Sequence, residues 1–237
     1  TGSTGNLPKG YSGLDFKTII EAEFGLKTLL ENDANAAAYA ELKTGNAQGD
    51  KSTIVITLGT GIGGGIIVDG KLLRGKAGVA AEIGHMPIAW GKKRKCTCGA
   101  WDCWESYASG SGYALNAKEM ANKIPLEQRE GILKDKEIET LTTYYVIDGF
   151  YKGDSFARKV HEQWESLVKM GIVSLVNIFD PDSVILSGGM AKFVNFEKLH
   201  REIEETVVIS KIKLLPAKHN NYAGIIGAAM LAVEKYG

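Results

Sequence analysis

All three cysteines of this 237-residue chain fall between positions 96 and 103, and a histidine stands eleven residues ahead of the first. His85, Cys96, Cys98 and Cys103 supply one imidazole and three thiolates. That is a complete tetrahedral set for a structural Zn²⁺, with no position left for a reactive water. If one ion takes all four, residues 85–103 must close around it, and Gly99 permits the tight turn this needs. The same residues would also allow a disulfide with one thiol left over, or three unrelated thiols. Their clustering favours the metal.

Lysine plus arginine and aspartate plus glutamate number 28 each. No long-range field therefore draws nucleic acid or an anionic membrane to the chain, and neither is expected as a partner. No apolar run approaches the length of a membrane span, no secretory signal opens the chain, and an odd, clustered cysteine count fits a reducing cytoplasm.

Residues 1–13 have loop composition. Phe16–Phe24 reads as a helix, with Asp15 as N-cap and Gly25 as its stop. Lys27–Leu30 reads as a short strand, and Ala34–Leu42 is strongly helical by propensity. Thr53–Leu58 is a buried-type strand that runs into the glycine run at 59–65, and a second strand at Ile66–Val68 ends on an Asp69-Gly70 hairpin signal. Helices at about 105–122 and 156–178 flank a polar stretch, 123–154, expected to be a helical insertion or cap. Strands at Ser183–Leu186 and near 212–215 and helices near 196–206 and 224–235 complete the pattern. Strands alternating with helices predict an α/β architecture.

Four places carry chemistry. Asp33 stands where a helix begins, so its carboxylate lies near the positive end of the helix, where it can orient a hydroxyl and accept its proton. An N-cap role for it is the alternative, and the two can coexist. The run Gly59-Thr60-Gly61-Ile62-Gly63-Gly64-Gly65 lets backbone amides approach a phosphate. It is a poor dinucleotide fingerprint, because a strand rather than a helix follows, and it lacks a Walker lysine. Ser187-Gly188-Gly189 closes another strand and is a second, weaker candidate for close backbone contact with a nucleotide. Glu82, His85 and Glu105 together can bind the vicinal hydroxyls of a sugar.

Taken together, the segments L-L-E-N-D-A-N-A-A-A (29–38), T-L-G-T-G-I-G-G-G (57–65), G-K-A-G-V-A-A-E-I-G-H (75–85), C-T-C-G-A-W-D-C-W-E-S-Y-A-S (96–109), N-I-F-D-P-D-S-V-I-L-S-G-G (177–189) and G-I-I-G-A-A (224–229) resemble the ROK family of sugar kinases and related repressors. The order and spacing match over almost the whole chain. The resemblance implies an actin-like, ribonuclease-H-like α/β sugar kinase fold, of which this chain is mainly the C-terminal lobe. It implies Asp33 as catalytic base, with Asn32, Glu82, His85 and Glu105 on the sugar hydroxyls. Gly59, Thr60, Gly61, Gly63, Gly188 and Gly189 would lie by the nucleotide. His85 would serve both zinc and sugar, through different ring nitrogens. ATP with Mg²⁺, a hexose or N-acetylhexosamine, and a homodimer or dimer of dimers follow from the same resemblance.

The chain departs from the family in having no opening strand with an Asp-x-Gly-Gly-Thr loop, so residues 1–32 read as a crossover through Asn6-Leu7-Pro8. Residues 33–223 read as the large lobe with its zinc segment at 85–103, and 224–237 as a return helix. That helix, Gly224–Tyr236, would pack on the missing lobe, leaving Ile225, Ile226, Ala229 and Met230 short of cover. Trp104 stands where the family commonly has a smaller aliphatic residue, and packing near the metal is the expected reason. A sugar-responsive repressor, or a sugar-binding remnant without turnover, is the alternative function. Retention of Asn32-Asp33 and of the phosphate glycines favours the kinase.

Overall fold

The computed structural model describes residues 13–208 and 211–237. The reading of the first dozen residues, Asn6-Leu7-Pro8 included, lies outside them. Helix α1 (Phe16–Phe24) begins and ends where local chemistry dictates. The Asp15 carboxylate accepts the Thr18 amide, and Gly25 closes the helix at φ 65°. Lys27–Leu30 is not a strand. The amide of Thr28 bonds to the Glu21 carboxylate and its carbonyl accepts the Tyr236 hydroxyl, so side chains take the place of a ladder.

Helix α2 (Asp33–Thr44) leads into β1 (Thr53–Leu58), β2 (Ile62–Val68) and β3 (Lys71–Leu72). Strand β2 starts four residues earlier than Ile66, inside the glycine run. Asp69 and Gly70 turn the hairpin with φ of 49° and 72°, the paired positive values of a type I′ turn. The expected helix at 105–122 is two helices, α3 (Glu105–Ala108) and α4 (Gly110–Ala121). Ser109 is extended between them and caps the second by accepting the Gly112 amide. The polar stretch holds one α-helix, α5 (Thr143–Tyr151), after three short 3-10 turns. Helix α6 (Ser155–Phe179), β4 (Ser183–Ser187), α7 (Phe196–Glu204), β5 (Lys213–Pro216) and α8 (Ala223–Tyr236) follow.

The five strands form one sheet in the order β3-β2-β1-β4-β5, antiparallel between β1 and β2 and parallel from β1 through β4 to β5. Alternation along the central strands sends Ile54, Ile56, Leu58, Val184 and Leu186 to one face, where Trp104, Tyr113 and Trp164 fill a large core. Val55 and Ile185 point the other way, onto Ala38, Tyr39 and Leu231 of α2 and α8. The second face is thin because α2 is alanine-rich. A Cβ on Gly65 would strike the Ala38 side chain, and one on Gly227 would meet the backbone of Ala36, so both helices sit close. Helix α8 thus packs on α2, which half-buries Ile226 and Met230 and leaves Ile225 and Ala229 exposed. Among the described residues no helix is long and apolar enough to cross a membrane.

Candidate functional site

The hairpin turn between β1 and β2 and the start of α2 face each other across a cavity of about 320 Å³. Asn32, Asp33, Gly59, Gly61, Gly63, Glu82, His85, Glu105 and Gly188 all line it. Asn32 is the N-cap of α2: its side-chain oxygen accepts the amides of Ala34 and Asn35 at 2.9 and 3.1 Å. Asp33 is therefore the first helical residue rather than the cap, and its carboxylate is exposed. Glu31 steadies this turn. It takes hydrogen bonds from Asn35 and, through two nitrogens, from Arg74. Burial works against its charge, but those bonds outweigh burial and hold the Glu31 carboxyl below its usual range. Arg74 begins the segment that carries Glu82.

Opposite stands the cysteine segment. His85 ends a short 3-10 turn, which brings its Nε2 to 3.9 Å from a Glu82 carboxylate oxygen while Nδ1 lies 3.6 Å from Cys96 Sγ. Cys98 and Cys103 sulfurs are 3.7 Å apart, and the ligand atoms of all four residues lie within 4.8 Å of one another. A tetrahedron with bonds of about 2.3 Å to sulfur and about 2.05 Å to nitrogen has edges of about 3.8 and 3.6 Å. The spacing is far outside a disulfide's, and all three thiols are free. Against burial, hydrogen bonds from Cys98 bring Cys96 down to about 7, while burial and the neighbouring thiols push Cys103 up to about 12. The donor set and its spacing suit a zinc ion.

The knuckle is braced from behind by groups that no local pattern announced. Asp102 accepts the amides of Lys93 and Arg94 and the Tyr107 hydroxyl, and the hydroxyl above all holds its carboxyl below the usual range. The Arg94 guanidinium, 7% exposed, grips both oxygens of Glu119 and lies 4.1 Å over the Tyr107 ring. Trp104 is fully buried, donates to the Leu167 carbonyl and lies flat against Gly171, so it packs rather than lining the cavity.

Glu105 joins this knuckle to the glycine turn. One carboxylate oxygen accepts the Ile62 amide at 2.9 Å and the other lies 3.8 Å from Cys96 Sγ. A Cβ on Gly61 would collide with that carboxylate. The turn is pinned on its far side too, where the Gly110 amide donates to the Gly59 carbonyl at 2.8 Å. Gly188, at φ 88°, presses against the backbone of Leu58, and Gly189 has open space where a side chain would be.

A second cavity, of about 560 Å³, continues from the same turn. Gly59 belongs to both cavities; Thr60, Gly189 and Met190 line the second alone, facing the start of α4 and residues 139–144. All the residues expected from sequence therefore gather at two adjoining cavities and at the metal-type knuckle, whose His85 lines the smaller one.

A family profile described as the ROK family matches residues 3–235. A glucokinase of Streptomyces coelicolor is 35% identical over 226 residues, which cover 92% of this chain and 71% of the relative. An N-acetyl-D-glucosamine kinase of Photobacterium profundum is 32% identical over 250 residues, covering 98% and 75%. Among solved structures, the ROK family glucokinase of Streptomyces griseus in complex with glucose and AMPPNP superposes with a TM-score of 0.79 at 34% identity, covering 92% of this chain and 72% of that one.

Proposed function

This chain belongs to the ROK family, and from that premise we propose that it acts in the ATP-dependent phosphorylation of a hexose or N-acetylhexosamine. What supports the reading above all is the pair of adjoining cavities. One offers carboxylates and an imidazole to a polyol, the other is open enough for a nucleoside, and the glycine turn lies where they meet.

In this reading Asn32, Glu82, His85 through Nε2, and Glu105 hold the sugar hydroxyls. Asp33 orients the acceptor hydroxyl and takes its proton as the new bond to the γ-phosphorus forms and the bridging bond to the β-phosphate breaks. Charge on the transferring phosphoryl group is met by the Thr60 and Gly61 amides, since the Gly59 amide donates to the Gly61 carbonyl within the turn, and by the Mg²⁺ that accompanies ATP. Gly188 and Gly189 let the nucleotide approach the end of β4. His85 Nδ1 and the thiolates of Cys96, Cys98 and Cys103 would hold a structural zinc, whose charge would let three thiolates stand together with no open position for a reacting group. Glu105, tied at once to the phosphate turn and the knuckle, fixes the two halves of the site relative to each other.

The sugar-responsive repressor reading needs neither an exposed carboxylate at the start of α2 nor a close-packed glycine turn, and the chain has both. The test is Asp33→Asn, assayed with glucose and with N-acetylglucosamine. Turnover is expected to fall by about 10²–10⁴-fold while calorimetry still registers sugar binding. Normal turnover would overturn the assignment of the base.

A further inference from the structure

Glu165 of α6 is a carboxylate that the reaction does not use, and it is 6% exposed. One of its oxygens accepts the backbone amide of Asn195 at 2.9 Å, and the other accepts the Lys198 ammonium at 2.7 Å. His161, one turn earlier and 3% exposed, stands 3.8 Å from the first oxygen. The His161 ring is wedged in place, stacked on Phe150 at 4.0 Å with its Nδ1 3.4 Å from the Tyr113 hydroxyl. A buried carboxylate kept in such a setting is costly unless its partners are fixed.

The partner that matters is Asn195. It ends the segment that leaves β4 at Gly188 and forms one wall of the larger cavity with Gly189 and Met190. At its start that segment is tied to the sheet, where the Met190 amide donates to the Leu58 carbonyl at 2.9 Å. At its far end Asn195 caps α7, and Glu165 is the side chain that anchors its amide to α6. Between the two anchors Phe193 meets Tyr144, a residue of the opposite wall, edge to face at 6.5 Å. Both walls of the larger cavity thus lean on a segment whose far half is held to α6 by the Asn195–Glu165 bond and by His161 against the Phe193 backbone, with Val194 buried in the core.

We propose that Glu165 is a positioning residue for the nucleotide: by holding the Asn195 amide it sets segment 188–195 so that Gly189 and Met190 form the nucleotide wall. The inference rests on the kinase reading, in which that cavity takes ATP. Slackening the far half of the segment misplaces the wall, while Gly188, which lines the smaller cavity, stays pressed on the Leu58 backbone.

The experiment compares the parent with Glu165→Ala, Glu165→Gln and Asn195→Pro by calorimetry with AMPPNP and, separately, with the sugar that the parent binds. Glutamine keeps an oxygen for the Asn195 amide, whereas proline removes the amide and leaves the Glu165–Lys198 pair intact. A displaced wall is expected to weaken AMPPNP binding about tenfold in Glu165→Ala and in Asn195→Pro, with Glu165→Gln restored to within about threefold of the parent and sugar affinity within about twofold throughout. If Glu165→Ala does not fold, Asn195→Pro is read against Asn195→Ala, which loses the same cap on α7 but keeps the amide, and only the proline variant is then expected to weaken AMPPNP binding. Unchanged AMPPNP affinity in the folded variants, equal losses for sugar and nucleotide, or no rescue by glutamine would overturn the positioning role while the kinase reading stands. A parent that binds no AMPPNP would overturn both.

Discussion

The smaller cavity has two walls, and they are built by different means. The wall carrying Asp33 is backbone work: a helix start, capped by Asn32 and steadied by Glu31 and Arg74, with the carboxylate itself exposed. The wall carrying His85 and Glu105 is side-chain work, a loop knotted through Asp102, Arg94, Tyr107 and Glu119 and seated on buried Trp104. A group at a helix start is placed by geometry that any sequence with a good cap can supply. A group on a long loop is placed only if something cross-links the loop. This difference explains why the metal-type knuckle lies on the wall of His85 and Glu105 and not beside the proposed base.

The contrast fixes what should break on each side. Trp104→Ala removes the seat of the knuckle and is expected to cost about 3–5 kcal/mol of stability, measured by urea denaturation; a loss below about 1 kcal/mol would mean the loop does not depend on the core. Asn32→Ala deletes the cap and should cost about 1 kcal/mol by the same measurement. Asp33→Asn, the variant that silences turnover in the proposed mechanism, should change stability least, within about 0.5 kcal/mol, since its carboxylate is exposed. A large loss there would mean that the helix start depends on that charge.

Much of this was legible in the sequence wherever the determinant is local. Asp15 and Gly25 bound α1 at the expected residues, Asp69-Gly70 turns its hairpin, and the histidine and three cysteines converge as their spacing suggests. Lys27–Leu30 misled because propensity does not say whether a partner strand exists, and here the Glu21 carboxylate takes the amide first. The glycine run hid its own division of labour. Gly59–Gly61 make the turn, whereas Gly65 is a strand residue whose bare backbone lets α2 pack close. The bond from the Ile62 amide to Glu105 spans 43 positions, and that from the Arg94 guanidinium to Glu119 spans 25. No short-range pattern encodes either, so the coupling of knuckle to glycine turn appears only once the chain is folded.

The central claim is that the knuckle holds the binding wall and does none of the chemistry. Its most direct test is a sugar titration of the protein before chelation, after chelation, and after loading with zinc, with a melting curve at each stage. Sugar affinity and thermal stability are expected to fall together on chelation and to return together with zinc. Sugar affinity that is the same in the stripped and reloaded protein would contradict the account.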